Sequence, residues 1–226
     1  MASETSLSDP NRIVISLRSA LSAATPFSMP YRHWMISDLF PGDIARELAA
    51  LEFPVADPGE MSGKRELHNE TRCYFDQKNI CNIDCAAKVA NALQSPEAIT
   101  LLNEFFSIDL SSTYLRLEYA QDVSNFWLEP HTDLGVKKIT ILIYLNNEPA
   151  EHVWGTDIFN ADKTHALRTP FKENTALAFV PGADTYHGFK QREFDGVRKS
   201  LILNYVTEEW RDRAQLAFPN DPVTAG

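Results

Sequence analysis

The hydrophobic periodicity of the chain changes near residue 110, and this change constrains the fold more than any other feature of the sequence. From Ser111 onward apolar and polar residues alternate, and turn-forming residues recur about every eight to twelve positions. Such a pattern is typical of an all-β sandwich or barrel. Seven strands are predicted, at 113–120, 138–146, 153–159, 165–169, 175–180, 186–190 and 198–206, with turns at 160–163, 181–182 and 195–196.

The first 110 residues have a helical pattern instead. Apolar residues spaced four positions apart predict one helix after Asp9 and a second after Pro41. Two more helices are predicted, one around 86–93 and one opened by Ser95, which suits an N-cap because Pro96 follows it. We expect these helices to brace the sheet.

A polar loop at 54–72 interrupts the helical half, with proline and glycine but no apolar period. Its length suits a lid over a binding site. The chain is short enough to be one domain over 1–226. Within it we expect helical support and the lid loop at 1–110, a β core at 111–206 and a C-terminal tail at 207–226.

Composition excludes several classes of function. With 31 acidic and 21 basic residues the net charge is −10, which repels phosphate polyanions, so we expect neither a nucleic-acid nor a membrane partner. The sequence has no apolar run of about 18 residues, the length that a membrane span needs. Cys73, Cys81 and Cys85 form no Cys-x-x-Cys pair. They are expected to be small buried hydrophobes in a reducing compartment, the cytoplasm.

The candidate metal ligands are His131, Asp133 and His187. His131 and Asp133 are two positions apart, so on an extended chain their side chains point to the same side. His187 follows 56 residues after His131, beyond a Pro-Gly turn. Two imidazoles and one carboxylate on one face of an octahedron leave three coordination positions open, as in non-haem Fe(II) oxygenases. We therefore predict that one ion binds all three side chains.

Arg198 opens the last predicted strand, and alternation puts Ser200 on the same side of it. A guanidinium offers a planar fork to a carboxylate, and a hydroxyl adds a donor, so the two residues could bind the far end of a dicarboxylate. A second interpretation stays open. Arg198 could pair instead with a carboxylate of the protein, such as Asp195 or Glu193.

The order His-x-Asp, then His, then Arg-x-Ser resembles the 2-oxoglutarate and Fe(II)-dependent oxygenases. Tyr119, the run 138–146 and the run 155–159 are similar to the prolyl-hydroxylase-like branch. The resemblance covers roughly 111–206. It differs in two places, because Trp154 stands where that branch usually has a second glycine, and the Arg-x-Ser at 198–200 is more typical of other branches.

This resemblance implies a fold and a set of site residues. The fold is a double-stranded β-helix, a cupin-like jelly roll that is mainly β in an α+β chain, with the N-terminal helices bracing the sheet. His131, Asp133 and His187 would bind iron. Arg198, helped by Ser200, would bind the C5 carboxylate of 2-oxoglutarate, and Tyr119 is a further candidate cofactor-binding residue.

The implied activity is that of a dioxygenase that uses Fe(II), 2-oxoglutarate and O2. It would hydroxylate an aliphatic carbon of a small molecule, an amino acid or a peptide side chain, releasing succinate and CO2. The carboxylate of Asp133 disfavours halogenation, because similar halogenases have a small residue there, whereas desaturation stays open. Two alternatives remain. One is an iron oxidase without 2-oxoglutarate, marked by an Arg198 engaged by another carboxylate, and the other is a jelly-roll metal-binding or sensor protein without turnover.

Other aromatic and imidazole side chains have weaker assignments. Phe126 and Trp127 precede the first ligand and either line a substrate pocket or simply pack. Four histidines have no comparable partner spacing and are expected to be exposed or hydrogen-bonded, namely His33, His68, His152 and His165.

Overall fold

The computed structural model describes residues 9–55, 63, 72–133, 135–147 and 153–226. Most of the loop predicted as a lid lies outside these described residues, and so do His68 and His152. The lid therefore stays a prediction.

Five α-helices are present in the described part of the chain. They are α1 (Asp9–Ser22), α2 (Gly42–Ala50), α3 (Gln77–Asn82), α4 (Asp84–Gln94) and α5 (Pro96–Phe106), followed near the C-terminus by a 3-10 turn at Arg213–Gln215. All four predicted helices are confirmed, and Ser95 Oγ accepts the N–H of Ala98 at 3.3 Å as the predicted cap. No helix in these described ranges is both long and apolar enough to cross a membrane.

Eleven strands follow the chain through the described residues. They are β1 (Thr25–Phe27), β2 (His33–Ser37), β3 (Cys73–Tyr74), β4 (Tyr114–Asp122), β5 (Leu128–His131), β6 (Lys137–Tyr144), β7 (Asp157–Phe159), β8 (His165–Arg168), β9 (Thr175–Phe179), β10 (His187–Phe189) and β11 (Arg198–Val206). The seven predicted strands are all found. The first half of the chain is mainly helical, as predicted. It also contributes β1, β2 and β3 to the sheet, strands of two to five residues that are too short for a clear alternation.

The strands form two antiparallel sheets. The major sheet has the order β1-β2-β9-β6-β11-β4-β3, and the minor sheet has the order β5-β10-β7-β8. Apolar side chains of both sheets meet in one buried cluster, which includes Leu142 and Ile202 of the major sheet and Ile158 of the minor sheet. This arrangement is the double-stranded β-helix that the resemblance implies.

Side-chain alternation separates the two faces of the major sheet. On β11, Leu201, Leu203 and Tyr205 pack into the apolar cluster that contains the helices. The Nζ of Lys199, on the same face, donates to carbonyls of Ala49 and Leu51 at 2.8 and 3.0 Å, where α2 ends. A cation there suits the negative end of the helix dipole. The helices thus cover one face of the sheet and leave the other face to the site.

Part of the C-terminal segment packs against β4. Leu216 forms an isolated bridge with Arg116, and the N–H of Val223 donates to the carbonyl of Thr113 at 2.8 Å. Leu216 and Val223 are both buried. The segment predicted as a C-terminal tail is therefore fixed against β4 at these positions.

Candidate metal centre and cavity

A cavity of about 440 Å³ lies between the two sheets. That volume falls in the range of small-molecule sites. Its floor is the inner face of β4, β6 and β11, and its rim includes β5 and β10. Apolar side chains form much of the wall, namely Phe126, Leu128, Leu142, Phe189 and Ile202.

His131 and His187 occupy opposite positions in the register of β5 and β10. Their ring centroids are 4.4 Å apart. Antiparallel pairing therefore brings together two imidazoles that are 56 residues apart in the sequence. The 187–189 strand also pairs with β7, which fixes it from its other side.

Hydrogen bonds to the backbone set the tautomers of both rings. His131 Nδ1 lies 2.9 Å from the carbonyl oxygen of Glu129, and His187 Nδ1 lies 3.1 Å from that of Thr185. A carbonyl oxygen only accepts, so Nδ1 carries the proton and, in the neutral ring, Nε2 carries the lone pair that a metal needs. Burial, followed by the nearby His131, lowers the pKa of His187 to about 4. His187 is therefore neutral near pH 7.

The third side chain, Asp133, is held by two neighbours that the sequence analysis did not single out. Lys137 Nζ lies 2.5 Å from Oδ1, and the hydroxyl of Thr140 donates to Oδ2. The carboxylate is only 4% exposed. Burial is the largest single influence and would raise the pKa of Asp133, but nearby charges, chiefly that of Lys137, and the hydrogen bonds from Lys137 and Thr140 together outweigh it and hold that pKa well below its ordinary value. Asp133 is thus an oriented anion.

One ligand atom from each of His131, Asp133 and His187 lies within 4.8 Å of the other two. Two imidazoles, of which that of His187 is neutral, and one ionised carboxylate form a donor set that suits a divalent iron ion. The three side chains fit the predicted metal. The structure thus places the three predicted ligands next to one another.

Arg198 lines the cavity at a distance along the sheet from these three side chains. Its Nη1 donates to Asp122 Oδ2 at 2.6 Å, and its Nε donates to the carbonyl of Trp154 at 2.6 Å. Nη2 lies 3.4 Å from the hydroxyl of Thr156. Arg198 therefore pairs with a carboxylate of the protein, as the second interpretation of the sequence allows. The partner is Asp122 rather than Asp195 or Glu193, which are exposed.

The strand register separates Ser200 from Tyr119. Ser200 is 2% exposed and lines the cavity beside Arg198. On β4 the positions opposite Arg198 and Ser200 are Asp122 and Ala120, so Tyr119 belongs to the other face. Its hydroxyl donates to the carbonyl of Leu48 at 2.8 Å on the helical side. The structure therefore places Tyr119 away from the cavity, and its expected cofactor contact needs this correction.

The other aromatic and histidine side chains considered in the sequence lie in different parts of the structure. Phe126 lines the cavity, whereas Trp127 packs against Gly63. His33 is buried with Nδ1 2.9 Å from the carbonyl of Tyr31, and His165 lies 3.0 Å from Asp157. Both are hydrogen-bonded, as expected.

The cysteines differ from the expectation in one respect. All three are free thiols. Cys85 is buried and Cys73 is half-buried, but Cys81 is exposed. It lies on α3, a helix of six residues without a buried side chain.

Two antiparallel sheets around a cluster of His131, Asp133 and His187, side chains that could hold a metal ion, define the class of double-stranded β-helix proteins. Solved structures with this fold include a prolyl-4-hydroxylase from Pseudomonas putida. The TM-score is 0.56 at 14% identity, and the match covers 86% of this chain and 99% of that one. No protein-family model and no curated protein sequence matches the chain.

Two further structures have the same fold. A prolyl hydroxylase from Trichoplax adhaerens, solved with a peptide fragment of a hypoxia inducible factor, has a TM-score of 0.57 at 11% identity, covering 92% of this chain and 96% of its own. A 2OG-Fe(II) oxygenase family oxidoreductase from Burkholderia pseudomallei has a TM-score of 0.52 at 13% identity, covering 87% and 90%. These likenesses confirm the predicted fold.

Proposed function

We propose that this protein is a 2-oxoglutarate-dependent non-haem Fe(II) dioxygenase that hydroxylates an aliphatic carbon of a small molecule, an amino acid or a peptide side chain. The observation that carries the proposal is the cluster of His131, Asp133 and His187 inside a cavity of ligand size. The shared fold supports it, since solved neighbours include prolyl hydroxylases and a 2OG-Fe(II) oxygenase.

The three side chains would hold Fe(II) through Nε2 of each histidine and a carboxylate oxygen of Asp133. Bound iron supplies the redox chemistry with O2 and 2-oxoglutarate that no amino-acid side chain can perform. The protein's own contribution is orientation. The carbonyls of Glu129 and Thr185 fix the two rings, and Thr140 fixes the carboxylate.

Arg198 is proposed as the anchor for the distal carboxylate of 2-oxoglutarate, with Ser200 beside it. Its guanidinium is buried, so a charge-assisted bond to a carboxylate would be strong there. Asp122 already accepts from Nη1. Cosubstrate binding would therefore make the guanidinium share its donors between two carboxylates.

The apolar wall has a role in this chemistry. Leu142, Ile202 and Phe189 line the cavity between the iron ligands and Arg198. Apolar walls exclude water and strengthen electrostatic contacts inside the site. A substrate carbon held against such a wall would be protected from competing reactions with solvent.

One observation favours a second candidate function. An iron oxidase that needs no 2-oxoglutarate would leave Arg198 to another carboxylate, and the Arg198–Asp122 pair has that form. Such an enzyme would consume O2 with Fe(II) and substrate alone. It shares the metal site with the first candidate and differs from it in the cosubstrate.

Succinate release distinguishes these candidates. We expect protein loaded with Fe(II) under anaerobic conditions, then given 2-oxoglutarate and O2, to form succinate. His131→Ala, Asp133→Ala and His187→Ala should each abolish succinate formation and weaken Fe(II) binding, because two remaining ligands hold a labile ion poorly. His165→Ala is the matched control, since it removes an imidazole outside the cavity. Oxygen uptake without succinate would favour the oxidase, and Fe(II) binding without oxygen uptake would favour a binding protein.

A further inference from the structure

A second charged group lines the cavity far from Arg198. Arg116 and Glu118 lie on β4, in register with Asn204 and Ile202 of β11. Asn204 is six residues beyond Arg198, which is about 20 Å along an extended strand. The Nδ2 of Asn204 donates to Thr140, the residue that holds Asp133. The iron ligands therefore lie nearer to this group than to Arg198 along the sheet.

This group, which we name the arginine pocket, consists of Arg72, Arg116, Glu118 and Trp210, all of which line the cavity. Arg72 binds Glu118 with two hydrogen bonds, Nε to Oε1 at 3.1 Å and Nη2 to Oε2 at 2.8 Å. Arg116 Nη2 also donates to Oε2, at 2.8 Å. Among the described residues, two guanidinium groups thus share one carboxylate. These four residues together carry two positive charges and one negative charge, in a chain whose net charge is −10.

The pocket also contains a hydrogen-bond donor that the described residues leave without an acceptor. The Nε1 of Trp210 is buried, and no acceptor in the described ranges lies within hydrogen-bond distance of it. An indole N–H can only donate, and a buried donor without an acceptor is costly. A ligand that brings acceptor oxygens would satisfy it.

Neighbouring side chains hold the pocket in place. The Arg116 guanidinium lies 4.9 Å from the ring centroids of both Tyr74 and Trp210. Its Nε donates to Gln215 Oε1 at 3.0 Å, and its Nη1 donates to Asn204 Oδ1 at 3.1 Å. The pocket is therefore oriented before any ligand binds, which lowers the entropy cost of binding.

Resting on the proposed function, we propose that the arginine pocket binds the carboxylate of the substrate. The substrate class is then a small aliphatic acid, such as a free amino acid or another organic acid. The carboxylate would lie against Arg72, Arg116 and Trp210, with an aliphatic carbon directed toward the iron ligands. An internal residue of a polypeptide has no free carboxylate at its main chain and would not satisfy the pocket.

The test uses pairs of ligands that differ only in this group. Full-length protein is loaded with Fe(II) and 2-oxoglutarate without O2, then mixed with a panel of free amino acids and saturated monocarboxylic acids, each beside its primary amide. Binding is measured by calorimetry and by the shift in unfolding temperature. We expect at least one acid to bind at least about 10-fold more tightly than its amide, the factor that one charge-assisted hydrogen bond supports.

Variants test whether Arg72 causes the preference for acid over amide. Arg72→Gln should remove the preference for acid over amide, and Arg72→Lys should restore part of it, since lysine keeps the charge but not the fork. Arg18→Gln, an exposed arginine paired with Glu97, should keep the preference. If Arg72→Gln is misfolded, the comparison of acids with their amides on the unmodified protein still tests whether the pocket binds a carboxylate.

Equal binding of every acid and its amide would overturn the proposal, and so would an acid preference that survives in folded Arg72→Gln. Failure of the whole panel to bind would overturn it too.

The proposed function fails in a different way. Acids that bind without any succinate release on admission of O2 would leave the pocket standing and refute the dioxygenase. Succinate release that acids and amides stimulate equally would refute the pocket alone.

Discussion

Asp122 and Arg198 are directly opposite each other on β4 and β11, and their side chains join inside the cavity with Oδ2 2.6 Å from Nη1. The side chains are 3% and 6% exposed. If Arg198 anchors 2-oxoglutarate, the incoming carboxylate meets an anion that is already in place. Like charges at such short range disfavour each other.

Asp122→Asn should therefore tighten 2-oxoglutarate binding, on the order of 10-fold, because the amide removes the repulsion and keeps an acceptor for Nη1. Calorimetric titration of the metal-loaded, oxygen-free protein measures this. Asp195→Asn is the matched control, since it removes the same charge from an exposed position. Weaker binding in Asp122→Asn would show that Asp122 orients Arg198 and does not compete with the cosubstrate.

Removing the guanidinium should have the opposite effect on the same equilibrium. Arg198→Ala alone would leave Asp122 buried without its partner, so the better variant is Arg198→Gln in the Asp122→Asn background. Relative to Asp122→Asn we expect a loss of about 2 to 5 kcal/mol, or about 30-fold or more in 2-oxoglutarate affinity. The 2-oxoglutarate affinity of Arg198→Lys in the same background should lie between those of Asp122→Asn and the double variant, because lysine keeps the charge and loses the planar fork. Fe(II) affinity should not change in any of these proteins, and unchanged 2-oxoglutarate affinity would remove Arg198 from the cosubstrate site.

Thr140→Val should weaken Fe(II) binding by about 10- to 100-fold, the usual effect of removing a residue that orients a ligand. Valine keeps the shape of threonine and removes the hydroxyl that donates to Asp133. Thr156→Val is the control in the same cavity, because Thr156 contacts Tyr144 and Arg198 instead. Equal Fe(II) affinity in the two variants would mean that Thr140 does not position Asp133.

Gly155→Ala should destabilise the protein by about 2 kcal/mol or more, the range of overpacked sites. A Cβ at this position would lie 1.8 Å from the carbonyl oxygen of Thr169, so the backbone would have to move. Gly135→Ala is the matched control, because a Cβ there has no atom within 4 Å among the described residues. Denaturant unfolding measures both, and similar midpoints would contradict the close approach at Gly155.

Asp157 should stabilise the minor sheet in a pH-dependent way. Its oxygens accept from the N–H of Lys190 at 2.7 Å and from Arg192 and Arg168 at 2.6 and 2.9 Å. Burial by itself would raise the pKa of Asp157, but these donors hold that pKa below its ordinary value of 3.8. Because the folded-state pKa is the lower one, the stabilisation is present above about pH 4 and is lost as pH falls through the folded-state pKa.

We therefore expect Asp157→Asn to lower the free energy of unfolding by about 3 kcal/mol at pH 7. The difference from the unmodified protein should shrink as pH falls from 4 toward 3. Guanidinium chloride unfolding across this range measures it. A difference that stays constant with pH would show that the carboxylate charge does not contribute.

His131 and Asp133 could be predicted as a pair because their signal is local, whereas His187 is linked to them by its order in the chain and by the family resemblance. His131 and Asp133 are two residues apart, and strand alternation alone puts them on one side. The partner of Arg198 could not be predicted in this way, since Asp122 becomes its neighbour only through the register of β4 and β11. The same register excludes Tyr119 from the cavity.

The arginine pocket is even harder to predict from the sequence. Its members come from β4, from the residue before β3 and from the C-terminal segment. Nothing in the local sequence around Arg72 or Trp210 indicates that the two meet. Likewise β1 and β2 carry too few residues for a period of two to be recognised.

The pairing of His131 with His187 also has a consequence for folding. The two strands that carry them are four and three residues long, so few backbone hydrogen bonds hold this part of the minor sheet together. An ion bound to both rings would join the ends of a loop of more than fifty residues, and because it binds the folded chain it would stabilise that state by mass action. Metal loading and ordering of the minor sheet would then be a single cooperative event. In a cell depleted of iron, the same chain would open more often and be cleaved by proteases sooner.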